Sequence, residues 1–260
     1  MKLVIKCGGS TLQDLPSTFF EQLHDLTKQQ IYPVIVHGGG PAISQQLEAL
    51  NIQSEFVNGL RKTTAEVLDV VEMVLCGKVN KWLTRQMLHH HIRAVGLSGM
   101  DDRMIQATAV EEHEQLGYVG SITNVNPAVI HTLIDAGIVP IIAPLGIDET
   151  GMKYNINADT AAGAIAAAIG SDHFVVTTDV DGIIQKQQDQ EKLLSTITKK
   201  QIQAMIASGE IYGGMIPKVS AAIDSLNGGV KSVTIVNGKD PHALLNMMQG
   251  KKGGTTIINQ

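Results

Sequence analysis

Short apolar runs recur at 2–6, 33–37, 93–97, 138–143, 173–178 and 232–236, and most are separated by ten or more residues whose apolar positions repeat every three or four. Runs of this length, apolar on both faces, are the pattern of buried parallel strands. The intervening periodicity predicts helices over 17–29, 41–50, 64–76, 79–90, 127–135, 158–169, 198–208, 215–227 and 240–248. In the first of these, Phe19, Phe20, Leu23 and Leu26 share one side, with Ser17 or Thr18 available as a cap. Such alternation implies an α/β protein whose mainly parallel sheet is covered by helices on both faces.

Two stretches depart from the pattern. Residues 103–125, around Gly117 and Gly120, and 145–156, across Gly146 and Gly151, alternate apolar and polar and predict β-hairpins on the rim. The polar run from Gln185 to Gln190 predicts a mobile surface loop. An alanine-rich helix stops at Ile169-Gly170-Ser171-Asp172 before a new strand begins, so the expectation is one domain, 1–260, with sub-lobes of about 1–170 and 171–260.

Two strands end in unusual chemistry. Leu3-Val4-Ile5 leads into Lys6 and then Gly8-Gly9-Ser10; Val34-Ile35-Val36 leads into His37-Gly38-Gly39-Gly40-Pro41 and a helix. Glycine lets backbone N–H groups turn toward an anion, and a helix N-terminus adds partial positive charge. A lysine at the end of a buried strand is costly unless its charge is met. Its plain alternative is a side chain that reaches solvent from the strand end.

Composition narrows the ligand. Twenty Lys and Arg against 25 Asp and Glu give a net charge of −5 with no long basic run, which disfavours a nucleic-acid surface. No apolar run approaches the length of a membrane helix, and no signal-peptide stretch opens the chain. Two cysteines, Cys7 and Cys76, suit a reducing cytoplasm. Aromatics make up 3% of residues, so a base would lie against aliphatic side chains.

Neither glycine cluster is a G-x-x-x-x-G-K-[ST] or a G-x-G-x-x-G string, and no G-x-S-x-G elbow accompanies the His37 motif. Arg61, after Asn58-Gly59-Leu60, offers a planar fork for a carboxylate, or is simply solvated. Asn155-Ile156-Asn157-Ala158-Asp159 precedes a helix of small residues; Asp159 is either a ligand-directed acid or an N-cap. Thr177-Thr178-Asp179-Val180-Asp181-Gly182-Ile183 is a strand entering an acidic turn. Gly213-Gly214-Met215-Ile216-Pro217-Lys218 puts a cation in the first turn of a helix, unfavourable for the dipole unless an anion binds there. His89-His90-His91 diverge by about 100° each on a helix and do not converge on a metal. The apolar stretch 64–90 reads equally as a dimer surface or a core face.

In order, and over about 2–258, the Lys6–Ser10, His37–Pro41, Asn58–Arg61, Asn155–Asp159, Thr178–Ile183 and Gly213–Lys218 motifs resemble the amino acid kinase family. The resemblance implies an open three-layer α/β/α sandwich that is homodimeric, and the cysteine count with the missing signal and membrane segments leads to a cytoplasmic location as the expectation. It implies ATP-dependent phosphorylation of the side-chain carboxylate of N-acetyl-L-glutamate to an acyl phosphate, an early step of arginine biosynthesis. By the same resemblance Lys6 and Lys218 hold the transferring phosphoryl group from two sides, and Asp159 orients them. Gly9 belongs to the first phosphate turn, Gly38 and Gly39 present N–H groups to the acyl substrate, Arg61 clamps its α-carboxylate, and Asn155 binds the same molecule. Asp179, Val180, Asp181, Gly182, Ile183 and Ile184, with Glu210, Ile211 and Tyr212, contact the nucleotide. Mg²⁺ arrives on the ATP phosphates.

Two further expectations concern the start of the chain. The thiol of Cys7, beside Lys6, is expected to be unusually reactive. The first strand begins at residue 2, without the extra helix of arginine-inhibited hexameric relatives, so a dimer lacking arginine feedback is expected. The rival readings are another carboxylate or carbamate kinase of this fold, for instance one acting on an aminoadipate derivative, and a catalytically silent binding protein. The presence of both Lys6 and Lys218 argues against the second.

Overall fold

The computed structural model describes residues 1–57, 59–187, 190–251 and 253–259. Its central sheet has eight strands: β1 (Leu3–Cys7), β2 (Val34–His37), β5 (Ala94–Ser98), β8 (Val139–Ala143), β11 (His173–Thr178), β14 (Thr196–Thr198), β15 (Ser232–Asn237) and β16 (Thr255–Ile258). They lie in the order β14-β16-β15-β11-β1-β2-β8-β5. Every neighbouring pair is parallel except β15 with β16. A second sheet, β10-β9-β6-β7, joins the two expected hairpins: β6 (Ile105–Ala109) with β7 (Gly120–Val125), and β9 (Leu145–Ile147) with β10 (Lys153–Asn155). Two small hairpins complete the strands, β3 (Phe56–Val57) with β4 (Leu60–Arg61), and β12 (Ile184–Gln187) with β13 (Gln190–Leu193).

The alternation of β1 divides the core. Leu3, Ile5 and Cys7 pack on one face with α1 (Ser17–Lys28), α2 (Gly40–Ala49), α3 (Ala65–Glu72), α4 (Asn80–His89) and α10 (Ala243–Met248). Val4 packs on the other with α6 (Ala128–Asp135), α7 (Ala158–Ala168), α8 (Lys199–Ala207) and α9 (Met215–Asn227). Short α5 (His113–Leu116) caps the turn between β6 and β7. The expected three layers are therefore present. Period-two alternation puts Lys6 on the α7 and α9 face, opposite Cys7.

Some local expectations change. Strands β14 and β16 were not anticipated; they are short and rich in threonine, and they form because β15 offers them an edge. Between α3 and α4 the chain winds as a π-helix, Met73–Val79, so the two predicted helices form one continuous helical run. Most of the apolar residues of 64–90 are core, including Val67, Val71, Leu75, Leu83 and Met87, while Met73 and Leu88 are exposed. Of the segment expected as a mobile loop, residues 185–187 and 190 belong to strands β12 and β13; Gln188 and Asp189, like Asn58 of the arginine motif, lie outside the described residues.

Candidate active site

The carboxyl ends of β1 and β2 run side by side into their glycine turns, and the Gly38 N–H donates to the Cys7 carbonyl at 2.9 Å. A Cβ on Gly9 would lie 2.7 Å from the Gly39 nitrogen and 2.9 Å from that of Gly40, and one on Gly38 would lie 3.0 Å from the Gly9 nitrogen. The turns thus touch backbone to backbone, a contact that a side chain at Gly9 would prise apart. Thr177 braces the first turn from β11: its Oγ1 accepts from the Gly8 N–H at 3.3 Å and donates to the Lys6 carbonyl at 3.2 Å. Thr11 Oγ1 donates to the Gly8 carbonyl at 3.0 Å.

These turns floor a cleft of about 320 Å³ whose wall includes Lys6, Arg61, Asn155, Asp179 and Lys218. Lys6 Nζ lies 2.9 Å from Asp159 Oδ1, and both residues are 5% exposed. The contact is one of charge, because Oδ1 accepts no aligned hydrogen bond. Asp159 does not cap α7. Asn157 does, accepting from the N–H groups of Asp159 at 2.9 Å and Thr160 at 3.1 Å, which leaves the Asp159 carboxylate free for Lys6.

Lys218 reaches the cleft from the first turn of α9. Gly213 before it has φ +56, a left-handed conformation suited to glycine, and Lys218 Nζ donates back to the Gly214 carbonyl at 2.9 Å. Burial pushes the Lys218 ammonium below the usual lysine range; Asp159 and Asp179 oppose the shift and Lys6 adds to it. Lys6, Lys218 and Arg61 therefore bring three positive charges to one partly dry cleft against the carboxylates of Asp159 and Asp179, an arrangement that favours a further anion.

Arg61 is 7% exposed and already engaged. Its Nη2 donates to the Gly40 carbonyl at 3.1 Å and to Ser44 Oγ at 2.8 Å, its Nη1 donates to Ser54 Oγ, and the guanidinium sits 4.6 Å over the Phe56 ring. Burial holds its pKa below the usual arginine value. Both Nη2 hydrogens are used, and each bidentate edge of a guanidinium includes Nη2, so a bidentate grip on a carboxylate displaces the bond to Gly40 or to Ser44. Asn155 is held by Thr63, which the sequence did not single out.

The residues expected to meet the nucleotide divide into two groups. Val180, Ile184 and Tyr212 are exposed at 38%, 39% and 70%, and Asp179 lines the cleft. Ile183 and Ile211 are turned into the core, so their contact with a ligand is limited to backbone. Asp181 accepts from Asn237 Nδ2 at 2.8 Å, Gly182 backs onto Thr255, and Glu210 accepts from Ser208 Oγ at 2.9 Å.

His37 is fully buried behind the second turn. Its Nδ1 meets the Gly38 carbonyl at 2.9 Å and its Nε2 faces Asn80 Nδ2 at 3.2 Å, while Asn80 also bonds the Leu97 and Ile141 carbonyls. Burial lowers the imidazole pKa to about 4, against the hydrogen bond to Gly38, so the ring is neutral at pH 7. The reactive-thiol expectation for Cys7 is overturned. The thiol points away from Lys6 into the opposite core, and burial pushes its pKa up to about 12. Among the described residues no group of three or more His, Cys, Asp or Glu converges on a point; His90 stacks on Phe20 at 5.2 Å instead. Asp179 is the cleft-lining carboxylate not bound to Lys6, a donor set that suits a cation carried in on phosphates.

An open α/β sandwich with paired lysines over two glycine turns is the architecture of a phosphoryl-transfer enzyme, and the model of the amino acid kinase family matches residues 1–237: the chain belongs to that family. It is 48% identical over 258 residues to the acetylglutamate kinase of Geobacillus sp. (strain WCH70), covering 99% of this chain and 97% of that one. The chloroplastic acetylglutamate kinase of Arabidopsis thaliana is 43% identical over 258 residues, 98% of this chain and 74% of the relative. Among solved structures, a Streptococcus mutans UA159 protein superposes with a TM-score of 0.86 at 31% identity, over 99% of this chain and 98% of that one. Carbamate kinase from Giardia lamblia bound to AMP-PNP superposes at 0.74 with 20% identity, over 100% and 98%, a likeness of fold alone.

Proposed function

We propose that this cleft transfers the terminal phosphoryl group of ATP to the side-chain carboxylate of N-acetyl-L-glutamate, forming an acyl phosphate in an early step of arginine biosynthesis. The observation that carries the reading is the convergence of Lys6, its partner Asp159, and Lys218 on the cleft floored by the two glycine turns. The acceptor oxygen forms a bond to phosphorus as the bond to the β-phosphate oxygen breaks, and ADP leaves. A carboxylate with pKa about 4.3 is already ionised at pH 7, so the chain needs no general base. What it must supply is alignment and neutralisation of charge.

In this reading Lys6 and Lys218 flank the transferring group, with Asp159 keeping their mutual repulsion in check. Gly9 and Gly39 offer backbone donors, Gly38, whose own N–H is held by the Cys7 carbonyl, lets the acyl substrate approach beside them, Arg61 receives the α-carboxylate, and Asn155 holds the acyl amino acid. Asp179, Val180, Asp181, Gly182, Ile183, Ile184, Glu210, Ile211 and Tyr212 form the nucleotide side, where exposed Val180, Ile184 and Tyr212 supply apolar surface for the base. Mg²⁺ enters with the phosphates.

The division into an acyl-amino-acid lobe, about 1–170, and a nucleotide lobe, 171–260, follows the sheet, in which β11, β14, β15 and β16 all lie to one side of β1. A cytoplasmic homodimer completes the proposal: β5 is an open sheet edge, and Met73, Leu88 and Val95 are exposed near it. No helix among the described residues is long and apolar enough to cross a membrane. Sedimentation at several concentrations tests the dimer.

The reaction is tested by ADP release with Mg-ATP and N-acetyl-L-glutamate beside glutamate, N-acetyl-aminoadipate and carbamate, with hydroxylamine to trap acyl phosphate. ADP and hydroxamate with N-acetyl-L-glutamate alone support the assignment. Reaction with another acid instead keeps the chemistry and removes the substrate; no reaction with any removes both.

A further inference from the structure

One hydroxyl joins the two residues expected to hold the acyl amino acid. Thr63 is fully buried and stands outside the cleft wall. Its Oγ1 donates to the Arg61 carbonyl at 2.8 Å and accepts from Asn155 Nδ2 at 3.1 Å. Arg61 closes β4 and Asn155 closes β10, so the hydroxyl bridges two separate sheets.

The backbone around it is fixed independently. The Thr63 N–H donates to the Leu116 carbonyl at 2.9 Å, the Tyr118 N–H donates to the Thr63 carbonyl at 2.7 Å, and the Asn155 N–H donates to the Tyr118 carbonyl at 2.9 Å. Removing the hydroxyl therefore leaves the main-chain ladder intact. What it releases is the carboxamide. An amide group carries two N–H donors and an acceptor oxygen on opposite arms, and nothing in its own shape decides which arm faces a ligand. Thr63 takes one N–H, which sets the sense of the group and leaves the second N–H and Oδ1 in fixed positions at the cleft.

We propose that Thr63 is a positioning residue for the acyl amino acid, its hydroxyl anchored on the Arg61 carbonyl and setting the Asn155 amide before the substrate arrives. The proposal rests on the reading of the cleft given above. Positioning of this kind is felt in the affinity for one substrate and not the other, whereas general loosening of the fold affects both.

The experiment is steady-state kinetics of the full chain with N-acetyl-L-glutamate and Mg-ATP for the wild type, Thr63→Ser, Thr63→Val, Asn155→Ala and the Thr63→Val/Asn155→Ala double variant. Thr63→Val should raise KM for the acyl amino acid about fivefold while KM for ATP stays within about twofold, the loss expected of one hydrogen bond. Thr63→Ser should restore it, and Thr63→Val should add nothing in the Asn155→Ala background. If Thr63→Val does not fold, Thr63→Ala carries the same expectations without changing the branch volume upward. Equal rises in both KM values, no rescue by serine, or a full effect in the Asn155→Ala background each overturn the proposal. An Asn155→Ala variant with unchanged KM overturns the underlying site assignment and the proposal with it; a raised KM there beside a wild-type Thr63→Val overturns the proposal alone.

Discussion

Lys6 and Asp159 meet at 2.9 Å with 6% and 7% of their side chains exposed, one at the end of the central strand and the other in the first turn of α7. A buried ion pair is dear to break, because the remaining charge keeps its desolvation penalty without its partner. Asp159→Asn should lower unfolding free energy by about 3 kcal/mol and turnover by about 100-fold or more. Urea unfolding and ADP release read the two effects; an unchanged midpoint would contradict the pairing. Lys6→Arg should also be strongly impaired, since a planar guanidinium cannot take the place of a compact ammonium.

Lys218 gives opposite pH trends for activity and stability. Its folded pKa lies below the ordinary 10.5, so as pH rises the native state releases this proton before the unfolded state does. Over that interval the unfolded chain binds more protons, and stability rises with pH up to about 10.5. In the free enzyme the ammonium is lost over the same interval, and kcat/KM, which reports the free enzyme, should fall with it. The kcat/KM profile should show an alkaline limb centred below 10.5, with wild type gaining stability relative to Lys218→Met across it. A flat kcat/KM to pH 10.5 would sink the assignment.

The two glycine turns predict a contrast between near neighbours. A methyl on Gly9 meets backbone nitrogen at 2.7 Å and 2.9 Å, whereas one on Gly40 meets nothing within 4 Å. Gly9→Ala should lose about 100-fold or more in kcat/KM, and Gly40→Ala should stay within about threefold. Kinetics on the two purified variants decide it, and equal activities would remove the backbone-contact argument.

His37 predicts an acid weakness. Its pKa falls from 6.5 to about 4 on burial, so between those values the unfolded state takes up protons that the native state refuses. Stability is complete above pH 6.5 and declines toward pH 4, by on the order of 3 kcal/mol from this group. Thermal melts of wild type and His37→Gln should converge as pH falls through that window. Parallel curves would assign the acid loss elsewhere.

Much of this molecule was readable from its residues. Strands β1, β2, β8, β11 and β15 are rich in Val and Ile, and burial on both faces leaves such runs few other places to go, whereas β5, Ala-Val-Gly-Leu-Ser at the sheet edge, is only partly buried. The edges were less legible: β14 and β16 hold three and four residues, and their pairing depends on a neighbour far away in sequence. The π-helical turn has no local signature, since its residues favour a helix of any pitch. Lys6, Asp159 and Lys218 were found as separate oddities of charge, but the 2.9 Å contact between the first two required the fold. The Cys7 reading failed for a reason the sequence already contained, because adjacent residues on a strand face opposite layers.

The contact between the two glycine turns bears on how this protein can change over generations. A floor made of main chain meeting main chain offers no side chain to exchange, so inheritance can keep or break it but has little means of tuning it. Adaptation to a different acceptor must then act at the rim, through Phe56, Arg61 and Asn155 on their short strands, while the floor passes unaltered from one descendant to the next.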